Sequence, residues 1–175
     1  KDAKDEQNRQ EDAAGQDTSG SIFTTLTGLD MGETVLEVEG NAIPADIYLY
    51  WLMAKSSELE YQLNMYKVSY GIYGELLDEN GRIKWDQTME GTPLADIVRQ
   101  NAENNALSYA LLENVAKAHD VTLTAEDQAA VDEVLAQQTE QAGGEEAFSQ
   151  SLYEIGLSRD SHVRMIASQY LYQHL

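Results

Sequence analysis

The chain has 175 residues, with 31 acidic and 11 basic side chains, a formal net charge of −20 and no cysteine. That charge repels a nucleic-acid phosphate backbone and an anionic membrane surface, and the missing cysteines remove disulfides, thiolate nucleophiles and Cys-ligated zinc. The length suits one domain with a real core, and no apolar run reaches the roughly 18 residues that a membrane span needs.

Residues 1–21 carry alanine as their only apolar type. Such a segment cannot bury enough surface to offset its chain entropy, which predicts a disordered acidic tether. It also lacks the apolar stretch of a signal peptide. Residues 22–175 are left as the domain. Ile22, Phe23, Leu26, Leu29 and Met31 predict an irregular arm packed on it. Thr34 to Glu39 alternates and is β-branched, Gly40-Asn41 supplies a turn and Ala42-Ile43 returns, predicting one short strand or a hairpin. Pro44 ends it and can open a helix, where its missing N–H costs nothing.

From about Ala45 to Tyr73 the spacing predicts one long helix with two apolar stripes. One runs Ile47, Trp51, Ala54, Tyr61, Met65, Val68, Ile72. The other runs Tyr48, Leu52, Leu59, Leu63, Tyr66, Tyr70, Tyr73. Their centres lie roughly 140° apart. A helix on the outside of a globule needs only one such stripe, so the first is expected to pack on the domain and the second to line a groove. A loop from Leu77 to Gly91 follows, with Asn80-Gly81 as its turn and Trp85 as its large apolar anchor.

Thr92 as N-cap and Pro93 in the first turn predict a helix to about His119, burying Leu94, Val98, Ala102, Tyr109, Leu112 and Ala116. Thr124 and Asp127 resemble a capping box with Asp in place of Glu. The helix behind it carries Val131, Val134 and Leu135 and stops at Gly143-Gly144. A short helix carries Phe148, Leu152 and Ile155. Ser158 caps a last one with Val163, Ile166, Tyr170 and Leu171. The fold class is mainly α: four to five helices with one short N-terminal strand or hairpin, and no repeat.

Motifs for chemistry are sparse. His119, His162 and His174 lack the spacing of metal ligands, so neither a metal nor another cofactor is expected. His119 suits the negative end of a helix. Ser161 and His162 are neighbours in sequence, which does not make a catalytic pair. Asp78 to Ile83 lacks the first and last carboxylates of a calcium loop. No catalytic residue is assigned.

The aromatic residues are the informative group. Tyr48, Tyr50, Trp51, Tyr61, Tyr66, Tyr70 and Tyr73 crowd one helix, either as ordinary core or as the lining of a peptide groove. Tyrosine offers large apolar area at low rotamer entropy and can hydrogen-bond a peptide backbone. Met53, Met65 and Met165 add adaptability. The candidate peptide-binding residues are Tyr48, Leu52, Leu59, Leu63, Tyr66, Tyr70, Tyr73 and Trp85.

Val35 to Pro44 (VLEVEGNAIP), followed by the Tyr-rich helix, resembles the V-x-V-N-G-x-x-I opening of the SurA/PrsA-type foldases. The later elements resemble the same family's N-terminal module: Leu111-Leu112, Ala116-Lys117-Ala118, Val121 to Thr124, and Phe148-x-x-x-Leu152-x-x-x-Gly156-Leu157-Ser158. The likeness covers about residues 33 to 175. The chain departs from it at Glu39, where the family often has Asn, and in the long loop around Trp85. The resemblance implies a SurA N-terminal-domain-like fold and an exported chaperone module that holds unfolded or nascent polypeptides in an apolar, Tyr-rich cradle. The family commonly continues into a parvulin-type prolyl isomerase domain. None is read before Leu175, so the resemblance implies a non-catalytic chaperone part, with any isomerase domain beyond Leu175. It also implies an extracytoplasmic location, at the cell surface or secreted, with a lipid anchor upstream of Lys1 as the candidate membrane tether. The rival expectation is a structural adaptor lipoprotein that binds one folded partner through the same surface.

Overall fold

The computed structural model describes residues 22–175. The tether expected over residues 1–21 lies outside the described residues. The first element is α1 (Ile22–Thr27), a short helix in place of the expected irregular arm. Its far end leaves Leu26 open, while Met31 behind it is buried. The Met31 and Glu33 carbonyls accept the amides of Asp46 and Ala45 at 3.1 and 2.7 Å. Two of the orphan N–H groups of the next long helix are thereby satisfied by backbone.

Strands β1 (Thr34–Val38) and β2 (Asn41–Pro44) pair antiparallel, with Val38 opposite Asn41. The turn is therefore Glu39-Gly40, one residue earlier than the sequence suggests. Glu39 and Gly40 have φ of 50° and 78°. Positive φ at both central residues matches the twist of the flanking strands, and it frees Asn41 to point inward. α2 (Ala45–Tyr70) starts straight after Pro44 and stops at Gly71, which is left-handed at φ 69° and donates its amide to Lys67. The helix thus ends three residues before the expected Tyr73.

The loop that follows is not anchored by Trp85, which is 46% exposed. Leu76, Leu77 and Ile83 anchor it instead, packing with Leu59 and Leu63 of α2. Asp78 closes its tip: its Oδ1 accepts the amides of Asn80 and Arg82 at 2.8 and 2.9 Å. Thr92 is not an N-cap. Thr92–Pro93 forms β4 and pairs with β3 (Thr88–Met89), across a Glu90-Gly91 turn with φ of 51° and 86°.

α3 (Leu94–Ala118) follows, then α4 (Ala125–Ala142), α5 (Glu145–Glu154) and α6 (Arg159–Tyr172). Leu94, Val98, Ala102 and Ala116 are buried as expected, whereas Tyr109 and Leu112 are half-buried. The Thr124/Asp127 capping box forms, Gly143 and Gly144 terminate α4, and Ser158 caps α6 through the Ser161 amide. The architecture is mainly α, five long helices with a small antiparallel hairpin at the N-terminal side. α2 and α3 form its central pair. Ala106 and Ala110 of α3 let the helix approach Ile43 and Ile47 closely. Phe148, Leu152, Leu157 and Ile166 form a second centre between α4, α5 and α6.

Candidate binding surface

The two stripes of α2 have different fates along the helix. In its first half both are covered. Ile47 is buried, and Tyr48 and Trp51 are half-buried against α3 and the hairpin. Burial pushes the Tyr48 hydroxyl up from its ordinary pKa, and the Glu103 carboxylate adds to the rise. In the second half the roles are reversed from expectation. Leu59 and Leu63, predicted to line the groove, are core: Leu63 is 1% exposed beneath the Leu76–Ile83 loop and the start of α3. Leu52 is half-buried against the same cluster. The loop that simple periodicity left unplaced folds over the Leu59–Leu63 part of this stripe and closes that part.

The first stripe, expected to be packed, comes out into the open. Tyr61, Met65 and Val68 are exposed, Val68 at 82%, and Ile72 just past the cap is exposed too. Of the predicted binding residues, Tyr66, Tyr70 and Trp85 are exposed, Tyr70 at 72%. Tyr66 packs between two neighbours, tilted against Tyr70 with ring centroids 6.0 Å apart and edge-to-face with Tyr73 at 5.8 Å. Tyr73 is half-buried and left-handed at φ 62°. The distal end of α2 therefore presents large apolar and aromatic side chains on two sides, Tyr66 and Tyr70 emerging on the side that Leu59 and Leu63 bury further back along the helix. A cluster of this kind is unusual on a lone domain, which makes it the candidate binding surface.

Trp85 belongs to a shallower pocket with Ser56, Ser57, Glu60, Arg82 and Ile83, of about 290 Å³. Glu60 is engaged there, pairing with Arg82 at 3.0 Å and accepting the Ile83 amide at 3.3 Å. A separate apolar groove of about 300 Å³ lies where α1, the first half of α2 and the end of α5 meet. Leu26, Leu49, Tyr50, Met53, Tyr153 and Ile155 line it. The sequence reading missed this groove. Its residues come from three elements, and of them only Tyr50 and Met53 stand out in the sequence as binding-type side chains.

Two polar constellations fix the scaffold under these surfaces. Arg164 of α6 makes a two-pronged pair with Glu113 of α3, both contacts at 2.7 Å, and donates to the Ala42 carbonyl at 2.8 Å. Asn41 donates to Glu113 at 2.7 Å, and Asn114 donates to the Val38 carbonyl at 3.0 Å. Hairpin, α3 and α6 are thereby pinned at one node. The fork geometry of guanidinium on carboxylate gives such a node direction as well as strength.

The second constellation is Asp46, fully buried. Its Oδ1 accepts from the Ile47 amide and the Ser161 hydroxyl, both at 2.8 Å, and its Oδ2 from the Ser158 amide at 2.9 Å. Ser161 is therefore occupied as a donor to a structural carboxylate. His162 turns away from it, with Nε2 2.8 Å from Gln138 Oε1. This is a scaffold arrangement, and no nucleophile–base pair is formed between these neighbours.

Among the described residues, no cluster of three or more His, Asp or Glu side chains is placed to hold a metal ion. Among the same residues, no helix is long and apolar enough to cross a membrane. No protein-family model, curated protein or solved structure matches the chain.

Proposed function

We propose that this chain is an extracytoplasmic chaperone module of the SurA/PrsA type. It holds unfolded or partly folded polypeptides on the distal end of α2 and does no catalysis of its own. The observation that supports this best is the uncovered cluster there, with Val68 and Tyr70 at 82% and 72% exposure on a helix whose other face is firmly core. Apolar surface held open on a rigid helix can shield client segments without needing a specific sequence. The tyrosines add hydroxyls that reach a client backbone. The net charge of −20 keeps copies of such a sticky module apart. Export, and a lipid anchor upstream of Lys1, are part of the same proposal and rest on the resemblance alone.

The test is the Tyr66→Ser/Tyr70→Ser double variant. Both rings are exposed, so its melting temperature should stay close to the parent's. Its suppression of client aggregation, followed by light scattering, should fall. Normal melting with undiminished protection would remove the Tyr66/Tyr70 side from the proposal and leave only the Tyr61–Met65–Val68 side. Saturable binding of one folded protein, with no protection of unrelated clients, would favour the adaptor.

A further inference from the structure

The open line on α2 is the continuation of an interface already in use. Ile47, Trp51 and Ala54 lie on the same side of the helix as Tyr61, Met65 and Val68, all within an arc of roughly 100°. On the first half this side is filled: Ile47 and Trp51 pack with Ala106 and Ala110 of α3. Beyond Glu58 the cover ends and the same side is exposed.

Charge and size narrow what fits there. Residues 61–74 contain no Asp or Glu in a chain that has 31 acidic residues, and Lys67 is their one charge. The positions beside the line, Gln62, Asn64 and Ser69, are uncharged. Lys67 sits roughly 130° round the helix from the centre of the line, so a docking segment meets no charge on the line itself, while the net charge of −20 attracts a cationic one from a distance. From Tyr61 to Val68 the line is roughly 10 Å long, about two helical turns, before α2 ends at Tyr70. A standard protein interface takes about 800 Å² from each partner, more than one two-turn helix face supplies, which argues against a second copy of this chain. Two turns with anchors at four-then-three spacing match one amphipathic helix.

We propose that the Tyr61–Met65–Val68 line takes a segment of its partner as a cationic amphipathic α-helix, gripped over about two turns. This rests on the chaperone reading and names the form in which a client segment is held. The docked helix extends the two-helix packing that α3 makes with the first half of α2.

The probe is a dye-labelled, Lys-rich peptide of about 14 residues with Leu at four-then-three spacing, too short to be a stable helix alone in water. Its controls are a scrambled isomer and an isomer with a central Pro. The expected result is binding with a gain in helical circular dichroism, and affinity at least about tenfold lower for both controls. The Met65→Asp/Val68→Asp variant should bind the amphipathic peptide at least about tenfold more weakly while melting like the parent. Equal binding of the three peptides overturns the helical form. If the double variant has then also lost aggregation suppression, the chaperone reading stands without it. Peptide binding or client protection that survives the double variant overturns the assignment of this line. Dimerisation of the parent that the double variant abolishes also overturns it, because the line would then belong to a second copy.

Discussion

Asp46 shows how much one side chain decides. It sits without solvent contact at the start of α2 and holds the start of α6. An Asn in its place keeps the shape, but with Oδ1 retained its amide nitrogen faces the Ser158 N–H, donor against donor. Asp46→Asn should lower the unfolding free energy by about 1.5–3 kcal/mol, measured by urea denaturation. An unchanged midpoint would mean the carboxylate is not the acceptor that ties these helices.

His162 gives the residue scale its pH signature. Burial, and then the Arg159 guanidinium, hold its imidazole below its ordinary value of 6.5. The unfolded chain takes up a proton near that pH while the folded chain resists it. Stability from this group is therefore complete above about pH 6.5 and is lost as pH falls through the depressed folded value. His162→Gln should flatten the stability curve in that window. Asp127 acts in a lower one. Hydrogen bonds from Thr124 hold its carboxyl below 3.8, so its contribution persists above that value and is lost in stronger acid. The same acid-stability curve in parent and variant would contradict the His162 assignment.

At the scale of elements, both central helices are launched the same way. Glu39-Gly40 and Glu90-Gly91 each make a two-residue turn, and each return strand ends in a proline that precedes a long helix. A glutamate at positive φ is strained, and Asn tolerates that region better. Glu39→Asn should therefore stabilise the chain by about 0.5–1 kcal/mol, seen as a raised denaturant midpoint at unchanged slope. The first hairpin was legible because Val35, Leu36 and Val38 supply β-propensity. The second was hidden because two-residue strands carry no periodicity, and Thr92-Pro93 is an equally good helix start. The helices from Thr124 onward were legible in detail, because capping residues and glycines act locally. On α2, periodicity revealed two apolar faces and could not tell which would be covered. That depends on where Leu76, Leu77 and Ile83 fold back, a tertiary outcome absent from local pattern. Tyr66, Tyr70 and Trp85 ended exposed while Leu59 and Leu63 did not, although all had been grouped together.

At the scale of the whole molecule, the node around Arg164 and the buried Asp46 have a consequence in time. The hairpin near the beginning of the domain is locked by residues 113 and 164, and α2 begins on a carboxylate that needs partners at 158 and 161. Contacts this distant in sequence close late, because their loop entropy must be met first. During synthesis α2, its loop and α3 can pack once α3 has emerged, but the hairpin and the start of α2 stay unlocked until the last twenty residues or so have emerged. A chain ending at Leu157 should accordingly keep much of its helical circular dichroism, bind a hydrophobic dye and lose near-ultraviolet signal. Cooperative melting of that truncated chain would show that the lock is not needed. For a protein proposed to cross a membrane before it folds, an architecture that stays pliable until its final helix arrives keeps the nascent chain threadable.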